Sequence, residues 1–99
     1  MPCNSVRLTG ELSDCGPLRY SPAGIPILEF RMIHSSTQME AGMQRKVEFE
    51  IEGVAAAETA IRLSGLQKGN PVTMEGFLAK KGQRNREIVF HATHFELIG

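Results

Sequence analysis

Four cations crowd one short stretch, FLAKKGQRNREIVF from Phe77 to Phe90: Lys80, Lys81, Arg84 and Arg86 lie between two apolar, strand-like ends. The chain as a whole is balanced, with 11 Lys and Arg against 11 Asp and Glu. Phe77 to Ala92 holds four basic residues and one acidic, 4 − 1 = +3, whereas Lys46 to Glu58 holds one basic and four acidic, 1 − 4 = −3. The neutral total therefore conceals a dipole. Cations concentrated at a hairpin tip can neutralise the phosphates of a flexible strand. The same composition also suits a solvated tip whose Lys and Arg keep a sheet edge from aggregating, and the stretch alone does not separate the two readings.

Other residues extend the basic path. Arg19 lies in a first long loop and Arg45 with Lys46 at the end of a second, and all three loops can project from one side of a small barrel. Single-strand binding also uses aromatic platforms, and only Tyr20 and Phe77 lie near these cations. Tyr20 either stacks a base or packs under the rim; Phe77 reads as packed. No catalytic arrangement emerges: there is no glycine-rich phosphate loop before a helix and no nucleophile elbow. His91 and His94 are three apart, on opposite faces of a regular strand, and would supply only two metal ligands. Hydrogen-bonded, neutral histidines are expected, with no metal, no cofactor and no enzyme activity.

These side chains need a scaffold. SVRLTGEL (Ser5–Leu12) alternates, with Val6, Leu8, Gly10 and Leu12 on one face, and reads as a half-buried strand. The loop CGPLRYSPAGIP follows, then ILEFRMIH, with Leu28, Phe30 and Met32 on one face and Ile27 and Ile33 on the other, a strand expected to be covered on both sides. Ser35 to Arg45 has no clean period and reads as a long, mobile loop. KVEFEIE then buries Val47, Phe49 and Ile51 and exposes Lys46, Glu48, Glu50 and Glu52. A short helix is predicted between Ala55 and Ser64, ended by Gly65 in a left-handed conformation. PVTMEGFLA begins another strand at Pro71, and in REIVFHATHFELI the parity switches from Ile88, Phe90 and Ala92 to Phe95 and Leu97, which predicts a bulge near Thr93.

Three strands, one helix and two strands match the connectivity of the OB-fold, a five-stranded Greek-key barrel with its helix between the third and fourth strands. At 99 residues the whole chain, 1–99, is expected to be one such domain. Another small five-stranded barrel or an α+β sheet would share the pattern. With five Phe, five Met, no Trp and two Cys, the core is small and lacks a disulfide framework, so self-association is expected. The first strand, through Val6, Leu8 and Leu12, is the candidate dimer contact. Cys3 and Cys15 fit no metal or redox spacing and read as free thiols of a cytoplasmic protein, with no signal peptide. No apolar run approaches the roughly 18 residues of a membrane span, and a soluble chain is expected.

Particular residues add a resemblance. PLRYSPAGIPILEF (17–30), EAGMQR (40–45), VTMEGFLAKK (72–81) and VFHATHFELI (89–98) resemble, in the same order and over almost the whole chain, the primosomal replication protein N (PriB) family. The resemblance implies a homodimer of OB-folds related to bacterial single-stranded DNA-binding protein. Such a protein binds single-stranded DNA and bridges the PriA helicase to the loader DnaT when a stalled fork is restarted. By position it places Arg19 in a basic first loop and Lys80, Lys81, Arg84 and Arg86 in the family's basic loop. Where family members carry aromatic side chains, this sequence has Met43 and Glu48. Glu48, Glu50 and Glu52 point outward together and would repel phosphate, so the alternative is a protein-protein adaptor on the same fold with weak, incidental nucleic-acid binding. An RNA-binding or translational OB module is a third class. The candidate contacts to single-stranded DNA are Arg19, Tyr20, Met43, Arg45, Lys46, Lys80, Lys81, Arg84 and Arg86.

Overall fold

Apolar side chains at every second position close the wall of a barrel, and the register between strands shows how. The computed structural model describes residues 2–98. The elements are β1 (Val6–Cys15), β2 (Arg19–Tyr20), β3 (Pro26–Glu40), β4 (Met43–Ala56), α1 (Ala57–Ser64), β5 (Pro71–Gly82) and β6 (Asn85–Leu97). The strands run in the order β1-β5-β6-β4-β3, and a further β1–β3 pairing closes the barrel; β2 is a two-residue strand on the edge of β3. This is the five-stranded OB-type barrel with one helix between its third and fourth strands. Leu12, Leu28, Phe30, Met32, Val72, Met74, Phe90 and Phe95 fill it, and Ala60 and Leu63 of α1 complete the core.

The elements differ from the sequence reading in four places. Ser35 to Arg45 is no loop: β3 and β4 pair continuously from Ile27↔Ala56 to Glu40↔Met43, joined only by Ala41 and Gly42. Both turn residues have positive φ, 54° and 77°, the backbone of a two-residue hairpin whose twist matches its strands. The segment shows no apolar period because this hairpin stands off the barrel with solvent on both faces. For the same reason Phe49 is exposed and Val47 and Ile51 are only half-buried. The outer face of β3 is likewise open, leaving Ile33 exposed. Finally, α1 starts at Ala57, and Gly65 keeps a right-handed backbone (φ −85°, ψ −5°), its N–H donating to Arg62 O while the Leu66 N–H donates to Leu63 O.

Two features of the barrel position the site. On β6 the register jumps from Glu75↔His94 to Gly76↔Ala92, so Thr93 is the bulged residue. Gly76 makes that approach possible, since a Cβ there would run into the backbone of His91. Second, β4 and β6 run parallel through Gly53↔Phe90, Val54↔His91 and Ala55↔Ala92. Each strand enters that contact from its own hairpin turn, so both turns leave the same end of the barrel. The result is a fork, and the long β3–β4 prong accounts for a molecule 50 Å long and 24 Å thin.

Candidate nucleic-acid interface

The outward side chains of β3, β4, β6 and β5 make up the palm of the fork. A cleft of about 640 Å³ runs across it, lined by residues that include Arg19, Glu29, Arg31, Glu52, Lys81 and His91. Its charged residues are Arg19, Arg31 and Lys81 against Asp14, Glu29 and Glu52, 3 − 3 = 0. The charges interlock. Arg19 lies 3.0 Å from Glu29, Arg31 bridges Glu50 and Glu52 at 3.5 Å each, and Lys81 Nζ donates to Glu52 Oε2 at 3.1 Å with Glu87 at 3.8 Å. The hydrogen bond and charge of Glu52, with Glu87 behind them, raise the Lys81 pKa above the usual lysine value. Lys81 is thus a fully charged link from the β5–β6 prong to β4.

The basic stretch is therefore divided. Lys80 and Lys81 are strand residues, and the connection is a tight turn at Gln83 and Arg84 between Gly82 and Asn85. Lys80 Nζ donates to Gln83 O at 3.2 Å. Among the described residues, Lys80, Arg84 and Arg86 have no carboxylate within ion-pair distance, whereas Lys81 has two. On the other prong Arg45 pairs with Glu40 at 2.7 Å and Lys46 with Glu48 at 2.9 Å. Met43 is 72% exposed at the tip, and Tyr20, in β2 beside Arg19, is 62% exposed rather than tucked under a rim. The expected row of repelling carboxylates is corrected as well: Glu48, Glu50 and Glu52 each face a cation, so the strip is largely neutralised.

Three further placements differ from or add to the sequence reading. Val6, Leu8 and Leu12 turn into the barrel: Leu12 is 1% exposed, and Val6 and Leu8 pack against the core. Their side chains are core, and a dimer contact on β1 would have to use its backbone edge. Arg31 was not singled out, although its outward parity between Phe30 and Met32 marks it as facing the palm. Phe77 is not packed inside; it is 39% exposed and stacks on His91, with centroids 4.8 Å apart and planes 4° from parallel. Among the other histidines, His34 Nδ1 is 2.6 Å from Thr9 O and His94 Nε2 is 3.5 Å from Glu96. No group of three or more His, Cys, Asp or Glu could hold a metal among the described residues. No helix among them is long and apolar enough to cross a membrane.

A closed five-stranded barrel with a basic hairpin beside an open palm is the architecture of single-strand-binding OB domains. A profile described as "another single-strand binding protein family" matches residues 4–94. The chain is 41% identical over 95 residues to the replication restart protein PriB of Nitrosomonas europaea, covering 96% of this chain and 88% of that one. The structure of PriB from Ralstonia solanacearum superposes with a TM-score of 0.88 at 33% identity, over 97% of this chain and 98% of that one. The single-stranded DNA binding protein of Thermus aquaticus, at 25% identity, superposes with a TM-score of 0.78 over 98% of this chain and 50% of that one. The chain belongs to the PriB family of replication restart proteins.

Proposed function

We propose that this protein binds single-stranded DNA across the palm of the fork as a non-enzymatic accessory of replication restart. The observation that carries the reading is the β5–β6 prong: Lys80, Arg84 and Arg86 are exposed without carboxylate partners among the described residues, directly beside the cleft that holds Arg19, Arg31 and Lys81. Phosphates docking on the prong need displace no internal ion pair, whereas those entering the cleft compete with Glu29 and Glu52. Binding is therefore nucleated at the tip, electrostatic and weakened by salt.

We further propose that the chain acts as a homodimer that contacts the PriA helicase and the loader DnaT in the cytoplasm, as the family resemblance implies. The edge of β1 supports the dimer. Val6 to Glu11 pair with β5, but only Glu11 to Cys15 pair with β3, which leaves the second edge around Val6–Leu8 with no partner strand among the described residues. Two copies joined along that edge would satisfy those backbone groups symmetrically. The test combines anisotropy of labelled single-stranded, duplex and RNA oligonucleotides with light scattering at micromolar concentration. Preference for single-stranded DNA by a dimer is expected; equal binding to duplex, or no binding at low salt, would overturn the DNA reading, and a monomeric mass would overturn the dimer.

A further inference from the structure

Resting on the DNA-binding reading above, we infer that Phe77 and His91 form a stacking subsite for one nucleobase of the bound strand. The two rings are cross-strand neighbours on the outer face, β5 against β6, and His91 in turn lies beside Val54 of β4. A continuous row, Phe77–His91–Val54, with two rings and one aliphatic side chain, thus crosses three strands on the side of the sheet away from the core. The core does not need it: the barrel is filled from within by Leu28, Phe30, Met74 and Phe90. His91 and Val54 line both the charged cleft and a second recess of about 370 Å³ that also includes Phe77, Ile27 and Thr59. The row is the wall between the two.

The surroundings select the ligand. An apolar partner surface would strip water from the ion pairs of the adjoining cleft and return no polar contact, whereas a nucleotide has a flat ring for the stack and a phosphate for Arg19 or Lys81. Along β5, Phe77 is four residues from Lys81, roughly 13 Å of strand, so one backbone can touch both. The backbone of Gly76 fixes the stack, because only a residue without Cβ lets β6 come close enough at the Thr93 bulge to lay His91 on Phe77. This platform takes the stacking role that Met43 and Glu48 leave unfilled.

The chain contains no tryptophan, so Phe77→Trp introduces a single indole at the site. A labelled oligothymidylate and an abasic oligonucleotide of equal length are titrated by anisotropy while indole emission is recorded. The oligothymidylate is expected to quench the indole at saturation and the abasic strand to leave it unchanged. In the otherwise native chain, Phe77→Leu, which keeps apolar volume, is expected to lose at least about fivefold in affinity for oligothymidylate, with abasic binding and salt slope unaltered. Absence of quenching at saturation, or a folded Phe77→Leu protein that retains the full preference for bases, would overturn the subsite while leaving DNA binding intact. A native protein that binds neither strand would instead overturn the DNA-binding reading and the subsite with it.

Discussion

Glu52 is the carboxylate on which the charge balance of the palm turns. Its Oε1 lies 3.5 Å from Arg31 and its Oε2 accepts from Lys81 at 3.1 Å, so one side chain occupies two cations. Glu52→Gln keeps the shape, removes the charge and frees both for phosphate. Arg31 retains Glu50 at 3.5 Å and Lys81 retains Glu87 at 3.8 Å, which makes the release partial. Each additional phosphate contact on a single strand steepens the dependence of log K on log salt by roughly 0.7, so the slope should steepen by roughly 0.7 to 1.4. Between 200 and 50 mM salt the variant should therefore gain roughly 3- to 7-fold more affinity than the native protein. The fold is not at risk, because these are surface pairs with side chains 40 to 52% exposed, and solvent-exposed pairs contribute little to stability. Anisotropy of a labelled oligothymidylate over that salt range is the assay. A folded Glu52→Gln protein with native affinity and slope would refute the idea that Glu52 masks cations on the DNA path.

Replacing Lys80, Arg84 and Arg86 together by Ala should flatten the same salt slope by up to roughly 2 and leave the thermal midpoint nearly unchanged; a native slope would reduce the tip to a solvated turn. Gly76→Ala should destabilise the barrel by about 1 to 3 kcal/mol in urea unfolding, because the new methyl meets the backbone of His91, and a native midpoint would mean that β6 can move aside. Burial, and then the charge of Asp14, raise the Cys15 pKa. The unfolded chain therefore loses this thiol proton first as pH rises, and the contribution of Cys15 to stability falls above about pH 8.5. Between pH 8 and 9 a disulfide reagent should modify exposed Cys3 before half-buried Cys15, and equal rates would contradict that environment.

The barrel was legible wherever a strand has one wet and one dry face. Leu28, Phe30 and Met32 are buried in the expected phase, and the parity switch after Ala92 marked the bulge at Thr93. The outer half of the β3–β4 hairpin was not legible, because pairs such as Ser35↔Glu48 and Gln38↔Arg45 bury nothing that could impose a period. The cations were visible as residue types, but their state was not. What separates Lys81 from Arg84 is Glu52, 29 residues away in sequence and adjacent only once β4 and β6 lie parallel. The Phe77–His91 stack is hidden for the same reason, since its rings become neighbours only through the β5–β6 register.

Amide chemical-shift mapping of isotopically labelled protein with a short oligothymidylate tests the proposed DNA path most directly. Perturbations should concentrate on the Lys80–Arg86 turn and continue across the palm through Arg19, Arg31, Phe77 and His91, while α1, on another part of the barrel, stays silent. Shifts confined to α1 and the Gly65–Asn70 segment, or absent from both the turn and the palm at saturating DNA, would contradict a path through the fork.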